Sequence, residues 1–317
     1  MSQRKIVLIT GCSDGGIGHH MAVELAARGC TVYASARNTS KITYANDKSI
    51  IPLELDVTSM ESVKAAVAQV VKEAGRIDVL VNNAGMSCMG PMVEVDIERV
   101  RQAYDTNVLG VARVCQVVSP HMIKQRSGTI ANVGSVVGYS CTPWAGVYAS
   151  TKSAVHAMSD AMRMELSPFN VHVTVVAPGG IKSHFADNSS LELPEWTNYE
   201  PARPAIEARI KYSQSGGVTP TDEFARVVAG RILADRPSAY ITYGNHSTLT
   251  WLLYYVPPVL RDRLLARRFN TGLLRTKDAD SSSSAGSLKA LLALSAAAVV
   301  VWAVNPAGVA RSLVSSA

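Results

Sequence analysis

The sequence has no paired cysteines. Its five, at positions 12, 30, 88, 115 and 141, are odd in number, widely spread and never in a CxxC pair. That excludes a disulfide framework and points to a reducing, cytosol-facing compartment. The seven histidines form no HxxxH or mixed Cys/His ligand spacing, so no structural metal is expected. The N-terminus, MSQRK, is polar and runs straight into a strand, with no secretory signal. Aromatic residues make up only 6%, and a net charge of +6 is too mild an excess to call for nucleic acid. What is plentiful is apolar: 47% hydrophobic residues in a chain of 317, enough for one large α/β domain with additions or two small ones.

Taken in order, the chain alternates between two periods. Lys5 to Thr10 (KIVLIT) is a short β-branched run of the buried-strand type. It enters Gly11-Cys12-Ser13-Asp14-Gly15-Gly16-Ile17-Gly18, and a helix pattern with Met21, Leu25 and Ala26 on one face follows at once. Strand, glycine-rich turn and helix are the context of a dinucleotide-binding turn, whose glycines let the backbone approach a pyrophosphate at the helix N-terminus. Asp14 sits awkwardly beside a phosphate and is expected to cap that helix instead.

The second strand, Thr31 to Ala36, ends in Ser35, Ala36 and Arg37, with no acid. An acid there would bind a ribose 2′-OH and an Arg accommodates a 2′-phosphate, so NADP(H) is the expected cofactor. A third strand, Ile50 to Leu55, delivers Asp56 as an acceptor for the adenine amino group, and Ser59 caps a helix to about Glu73. The fourth, Val79 to Val81, runs into Asn82-Asn83-Ala84-Gly85, small residues beside which a cofactor can lie. Asp96 to Gln125 is amphipathic and is expected to hold two helical stretches, with Asn107 in the middle. Strands at Thr129–Val133 and Val171–Val176 follow, the latter ending in Pro178-Gly179-Gly180. Alternation of this kind predicts a doubly wound parallel sheet (Rossmann-like), with ligands at the carboxyl ends of its strands. The glycine turn, Arg37, Asp56, Asn83, Ser135 and Pro178 all fall on that edge.

Within Gly134 to Lys152, Ser135 precedes Tyr148 by thirteen positions and Lys152 follows it by four. A Tyr and a Lys at i and i+4 share a helix face. An ammonium beside a phenol favours the phenolate and makes Tyr148 usable as an acid or base near neutral pH. Taken alone, the pair is better read as a chance feature of a solvated helix.

Together, TGCSDGGIG, NNAG, Asn107, Ser135, YASTK and PGG resemble the short-chain dehydrogenase/reductase family over about Ile6 to Tyr243. The resemblance implies that Tyr148 donates a proton to a carbonyl oxygen. Lys152 would lower its pKa and hold the nicotinamide ribose, Ser135 would position the carbonyl, and Asn107 would support a water-linked relay to Lys152. It implies cofactor contacts from Gly11, Ser13, Gly16, Ile17 and Gly18, from Arg37 and Asp56, and from Asn83, Ala84 and Gly85. Tyr148 and Lys152 themselves, then Pro178, Gly179, Ile181 and Ser183, complete the set. The glycine turn departs from the family pattern by one extra residue, Gly15 or Gly16, and Ser183 stands where Thr is usual. In this family the helices holding Asn107 and Tyr148 pair into dimers, so a homodimer is a possible state.

Three blocks, NNAGMSC, MRMELSPFNVHV and YYVPPVLRDRLLARRF, are similar to the fungal NADPH-dependent 1-acyldihydroxyacetone-phosphate reductases. That likeness implies reduction of a lipid ketone at the endoplasmic reticulum or a lipid droplet. Two alternatives stand beside it: a reductase or dehydrogenase of steroid, isoprenoid or polyketide carbonyls, and a non-catalytic NADP-binding lipid-droplet protein.

Substrate choice is expected in Lys182 to Pro220, a lid mixing Leu191, Leu193, Trp196 and Tyr199 with Lys182, Arg203, Arg209 and Lys211. Thr221 is expected to cap a helix to about Asp235, with a last strand at Ala239–Tyr243. Beyond it, WLLYYVPPV (Trp251 to Val259) suits either the core or a membrane interface. Between Arg261 and Lys277, six Lys or Arg face one acid, which favours an anionic membrane surface. A Ser-rich linker follows, and Ala290 to Ala310 then carries no charge for 21 residues. That length fits a span, but Asn305-Pro306 interrupts it, so an anchor and a surface helix are both open. The expected organisation is a catalytic domain at 1–244, an aromatic-basic membrane-proximal extension at 245–277, a linker at 278–287 and an apolar C-terminal tail at 288–317.

Overall fold

The structure, a computed structural model, describes residues 4–45, 47–183, 193–212, 214 and 217–274. Seven strands form one sheet: β1 (Ile6–Ile9), β2 (Thr31–Ala36), β3 (Ile50–Glu54), β4 (Val79–Asn82), β5 (Gly128–Val133), β6 (Val171–Pro178) and β7 (Tyr240–Tyr243). Every pairing is parallel, in the order β3-β2-β1-β4-β5-β6-β7. The strand order reverses between β1 and β4, and this switch point opens the crevice at the carboxyl edge.

The strands are rich in Val and Ile and buried on both sides, because helices cover both faces. On one face α1 (Ile17–Ala27) and α7 (Thr221–Ile232) bring Met21, Leu25, Phe224, Val228 and Ile232 against β1, β2 and β7. On the other, α2 (Met60–Ala74), α4 (Gly110–Gln125) and α5 (Gly146–Leu166) bring Val63, Val67, Val114, Val118 and Val155 against Leu8, Leu80 and Ile130. Each large side chain so buried contributes about 1.5–3 kcal/mol.

Of three local expectations, two hold and one changes. The two helical stretches expected in Asp96 to Gln125 are α3 (Ile97–Tyr104) and α4, joined without a break by a π-helical turn (Asp105–Leu109). The wide turn holds Asn107 and buries it completely. Thr221 does not cap α7. Pro220 holds the cap position without a side-chain bond, and the Thr221 hydroxyl instead donates to the Lys182 carbonyl, tying the lid's start to α7. Ser59 does cap α2, accepting from Ser62 N.

After β7 the chain returns over the carboxyl edge as α8 (Ser247–Leu253) and α9 (Pro258–Arg268). Leu265 and Phe269 there pack with Trp144, and with Ile206 and Ile210 of the lid helix α6 (Arg203–Tyr212), in a separate apolar cluster. No residue of the block Trp251 to Val259 is buried, although Leu253 packs partly buried against this cluster. Leu260, Leu265 and Phe269 are buried, while Trp251, Tyr254 and Tyr255 are exposed. Leu191 of the lid, the basic residues Arg275 and Lys277, the linker at 278–287 and the tail at 288–317 lie outside the described residues. Among the described residues no helix is long and apolar enough to cross a membrane.

Candidate active site

A cavity of about 740 Å³ runs along the carboxyl edge of the sheet. At its floor, Thr10 Oγ1 accepts from the amides of Asn83 and Ala84, each at 3.0 Å. The Asn83 side chain donates back to the carbonyls of Thr10 (2.9 Å) and Gly11 (2.8 Å). The first turn is thereby stitched to the end of β4, so closely that a Cβ on Gly11 would stand 2.7 Å from Ala84 Cα. Gly18 is buried under the loop, where a Cβ would meet the Gly11 carbonyl at 2.5 Å. Within the turn Gly15 adopts φ +72° and donates its amide to His19 Nδ1 at 2.9 Å. Gly16 holds the N-cap position of α1.

Asp14 is not the helix cap. Its carboxylate accepts from Thr43 N (3.1 Å) and Thr43 Oγ1 (2.9 Å), and α1 begins with no side-chain cap. The first-turn amides beside Ser13, Gly16 and Ile17 are left for an anion at the cavity wall. Farther along, Ser35 turns inward and donates to the Ile9 carbonyl. Arg37 lines the cavity, exposed, with no hydrogen-bond or ion-pair partner among the described residues. Asp56 also lines it, one oxygen accepting from Thr58 N and Oγ1. An uncapped helix N-terminus and an unpaired Arg on one wall fit a dinucleotide carrying a 2′-phosphate.

Ser135, Tyr148 and Lys152 line the other end of the cavity, beside Ala84 and Gly85. Burial pushes the Lys152 ammonium down to about 8. Its Nζ donates to the Val133 carbonyl at 2.8 Å and lies 5.7 Å from the Tyr148 ring centroid. Burial also pushes the Tyr148 phenol up to about 12, opposed first by a hydrogen bond from the Ser135 side chain and then by the Arg209 guanidinium. Two cations thus lie near the phenol, Lys152 beside its ring and Arg209, whose charge favours its ionisation. Asn107 does not reach the cavity wall. It accepts from Met86 N (2.8 Å) and donates to the Met86 carbonyl (2.9 Å) and Thr151 Oγ1 (3.0 Å). A Cβ on Gly85 would lie 3.3 Å from Asn107 Oδ1 and 3.6 Å from Lys152 Nζ, so both side chains converge on that glycine.

Pro178, Gly179 and Ile181 continue the wall from β6, with Ser183, whose amide donates to Gln214 Oε1. Three contributors went unnoticed in the sequence. Thr10 looked like the end of a strand. His156, one turn beyond Lys152 on α5, accepts the Ser135 amide at 3.4 Å and fills the space beside Gly134. Its i+4 spacing from Lys152 was the available signal. The third is the return segment, whose Leu264, Leu265, Arg268 and Phe269 complete the substrate end of the cavity. No group of His, Cys, Asp and Glu able to hold a metal occurs among the described residues.

Fold and site define a dinucleotide-dependent oxidoreductase. The family model for short chain dehydrogenases matches residues 5–193. The chain is 37% identical over 253 residues to the short-chain dehydrogenase cctT of Talaromyces islandicus, covering 78% of this chain and 89% of that protein. It is 30% identical over 274 residues to the NADPH-dependent 1-acyldihydroxyacetone phosphate reductase of Saccharomyces cerevisiae, covering 84% and 91%. The solved structure of ElxO with NADP bound superposes with a TM-score of 0.62 at 27% identity, over 75% of this chain and 96% of that one. The chain belongs to the short-chain dehydrogenase/reductase family.

Proposed function

We propose that this protein, an NADP(H)-dependent oxidoreductase with a small-molecule substrate, reduces the ketone of an amphipathic lipid. The best-fitting substrate is 1-acyldihydroxyacetone phosphate, giving 1-acylglycerol 3-phosphate. One observation carries it: the cavity that holds Tyr148 is also lined by Leu249, Leu253, Leu264 and Leu265 and by Arg209 and Arg268, from α6, α8 and α9. Such a wall suits an acyl chain and an anionic head together. The named activity of the yeast relative supports the same substrate.

When bound, the cofactor supplies the hydride. The chain supplies the rest. Ser135 holds the carbonyl oxygen against the Tyr148 hydroxyl, and Tyr148 gives that oxygen its proton as charge develops there. Lys152, fixed by the Val133 carbonyl, places a cation beside the phenol and the ribose, and Asn107 supports the water-linked resupply of its proton. Arg37 receives the 2′-phosphate. The exposed Trp251, Tyr254 and Tyr255, with the arginines of α9, dock the enzyme on the cytosolic face of the endoplasmic reticulum or a lipid droplet.

The test is NADPH oxidation with 1-acyldihydroxyacetone phosphate beside a panel of steroid and polyketide ketones. Preferred turnover of the acyl phosphate ketone supports the assignment. Preferred turnover of a panel member replaces it.

A further inference from the structure

Arg209 is only 5% exposed, yet its side chain forms part of the cavity wall shared by Ser135 and Tyr148. Its Nε donates to Thr142 Oγ1 at 3.0 Å. Its guanidinium carbon lies 5.4 Å from the Phe269 ring centroid and 5.9 Å from that of Tyr212. Among the described residues no carboxylate pairs with it, and no hydrogen bond engages its two terminal nitrogens. A guanidinium cannot shed its charge to escape burial, so an unpaired one in a wall is costly unless a ligand completes it.

The surroundings narrow the ligand. Arg268 lies on the same cavity wall, 4.9 Å from the Tyr212 ring. Two arginines therefore lie near the one Tyr212 ring. The acids lining the cavity, Asp14 and Asp56, belong to the glycine turn and the end of β3, at the opposite end. Thr142 and the two rings hold the Arg209 fork in place before any ligand arrives, and a held fork matches the paired oxygens of a phosphate or carboxylate. The cofactor's own phosphates have the α1 N-terminus and Arg37. The oxyanion at Arg209 then belongs to the substrate.

We propose that Arg209, seconded by Arg268 near the same Tyr212 ring, is the specificity-determining residue that receives an oxyanion, a phosphate monoester or carboxylate, carried near the substrate's ketone. The enzyme thereby selects anionic lipid ketones over neutral ones. The inference rests on the assignment of this site as a ketone reductase and names the group it recognises. The same guanidinium favours ionisation of Tyr148, so filling the anion site also tunes the proton donor.

The experiment uses the full chain saturated with NADP⁺, wild type and Arg209→Met, titrated calorimetrically with octyl phosphate and with 1-octanol. Charge-assisted bidentate contacts predict wild-type binding of octyl phosphate about 50-fold tighter than octanol, and Arg209→Met bringing the two within about fivefold. If Arg209→Met does not fold, Arg209→Gln reads the same difference. Equal affinities in the wild type, or a preference that survives the substitution, overturn the proposal. So does a parallel loss of NADP⁺ affinity, which would put Arg209 on the cofactor.

A kinetic arm compares kcat/KM for 1-acyldihydroxyacetone phosphate and its dephosphorylated analogue. The ratio falls about tenfold or more in Arg209→Met if Arg209 reads the phosphate, and equal losses on both ketones count against it. An Arg209-dependent preference for octyl phosphate without turnover of the acyl phosphate ketone rejects that substrate and leaves the anion site standing. Turnover of that ketone with an unchanged ratio in the variant does the reverse.

Discussion

The Trp144 indole donates its Nε1–H to the main-chain carbonyl of Phe269 at 2.9 Å, across 125 residues of chain. Trp144 opens the turn into the helix of Tyr148 and Lys152. Phe269 ends the return segment. This bond and the apolar cluster around it hold the C-terminal helices over the substrate end of the cavity. Trp144 is buried at φ +67°, a conformation that costs a bulky residue energy and persists only where its surroundings enforce it.

Removing the Phe269 ring tests whether that closure matters. Phe269→Ala empties a buried position beside Trp144, Tyr212 and Arg209. It is expected to cost about 3 kcal/mol of stability in denaturant unfolding. In the folded variant KM for the lipid ketone rises more than KM for NADPH, because the ring lies at the substrate end.

Arg37 is the only cation placed at the end of β2, and it has no partner among the described residues to satisfy it. Arg37→Asp is expected to lower kcat/KM with NADPH by about 100-fold, from loss of a charge-assisted contact and repulsion of the 2′-phosphate, and to leave NADH the better cofactor. Steady-state kinetics with both cofactors reads the switch.

His156 gives a pH dependence of stability. Burial, with Lys152 nearby, lowers its pKa from 6.5 to about 4. Its folded pKa is depressed, so its neutral form is tolerated and its charged form is not. Stability is full above about pH 6.5 and declines as the pH falls toward 4, because the unfolded chain takes up the proton first. At pH 5 the loss is about 2 kcal/mol, and His156→Gln removes this part of the slope when urea midpoints are compared from pH 7 to pH 5.

The exposed aromatic face of α8 and its following turn carries Trp251 and Tyr254. A double change, Trp251→Ser with Tyr254→Ser, is expected to weaken binding to vesicles containing anionic lipid by about tenfold in sedimentation, through lost interfacial insertion. Making the same change in a chain ending at residue 277 separates this face from the tail.

The doubly wound sheet was legible because each βα unit is local. A β-branched run, a small-residue turn and a 3.6-period helix follow one another within about thirty residues. The glycine turn and the Ser135, Tyr148 and Lys152 set were visible for the same reason. The substrate wall was legible only in part, as a lid in which Arg209 was one of four cations. Nothing in the sequence singled Arg209 out from the other three, because what buries it, α9 and Phe269, comes from about sixty residues away. The π turn that buries Asn107 depends on packing against Val57, Met86 and Thr151, and none of these is its neighbour in sequence. Asp14 is bound by Thr43, a loop residue with no pattern to mark it.

Tyr148 as proton donor is the claim on which the rest depends. The most direct measurement is single-turnover oxidation of bound NADPH by a lipid ketone in the wild type and in Tyr148→Phe, with NADPH affinity followed by its fluorescence. The account predicts unchanged NADPH affinity and an unchanged melting temperature, with hydride transfer slowed by at least about 100-fold, the usual contribution of a positioned general acid. Transfer in Tyr148→Phe within a few-fold of the wild-type rate would contradict it.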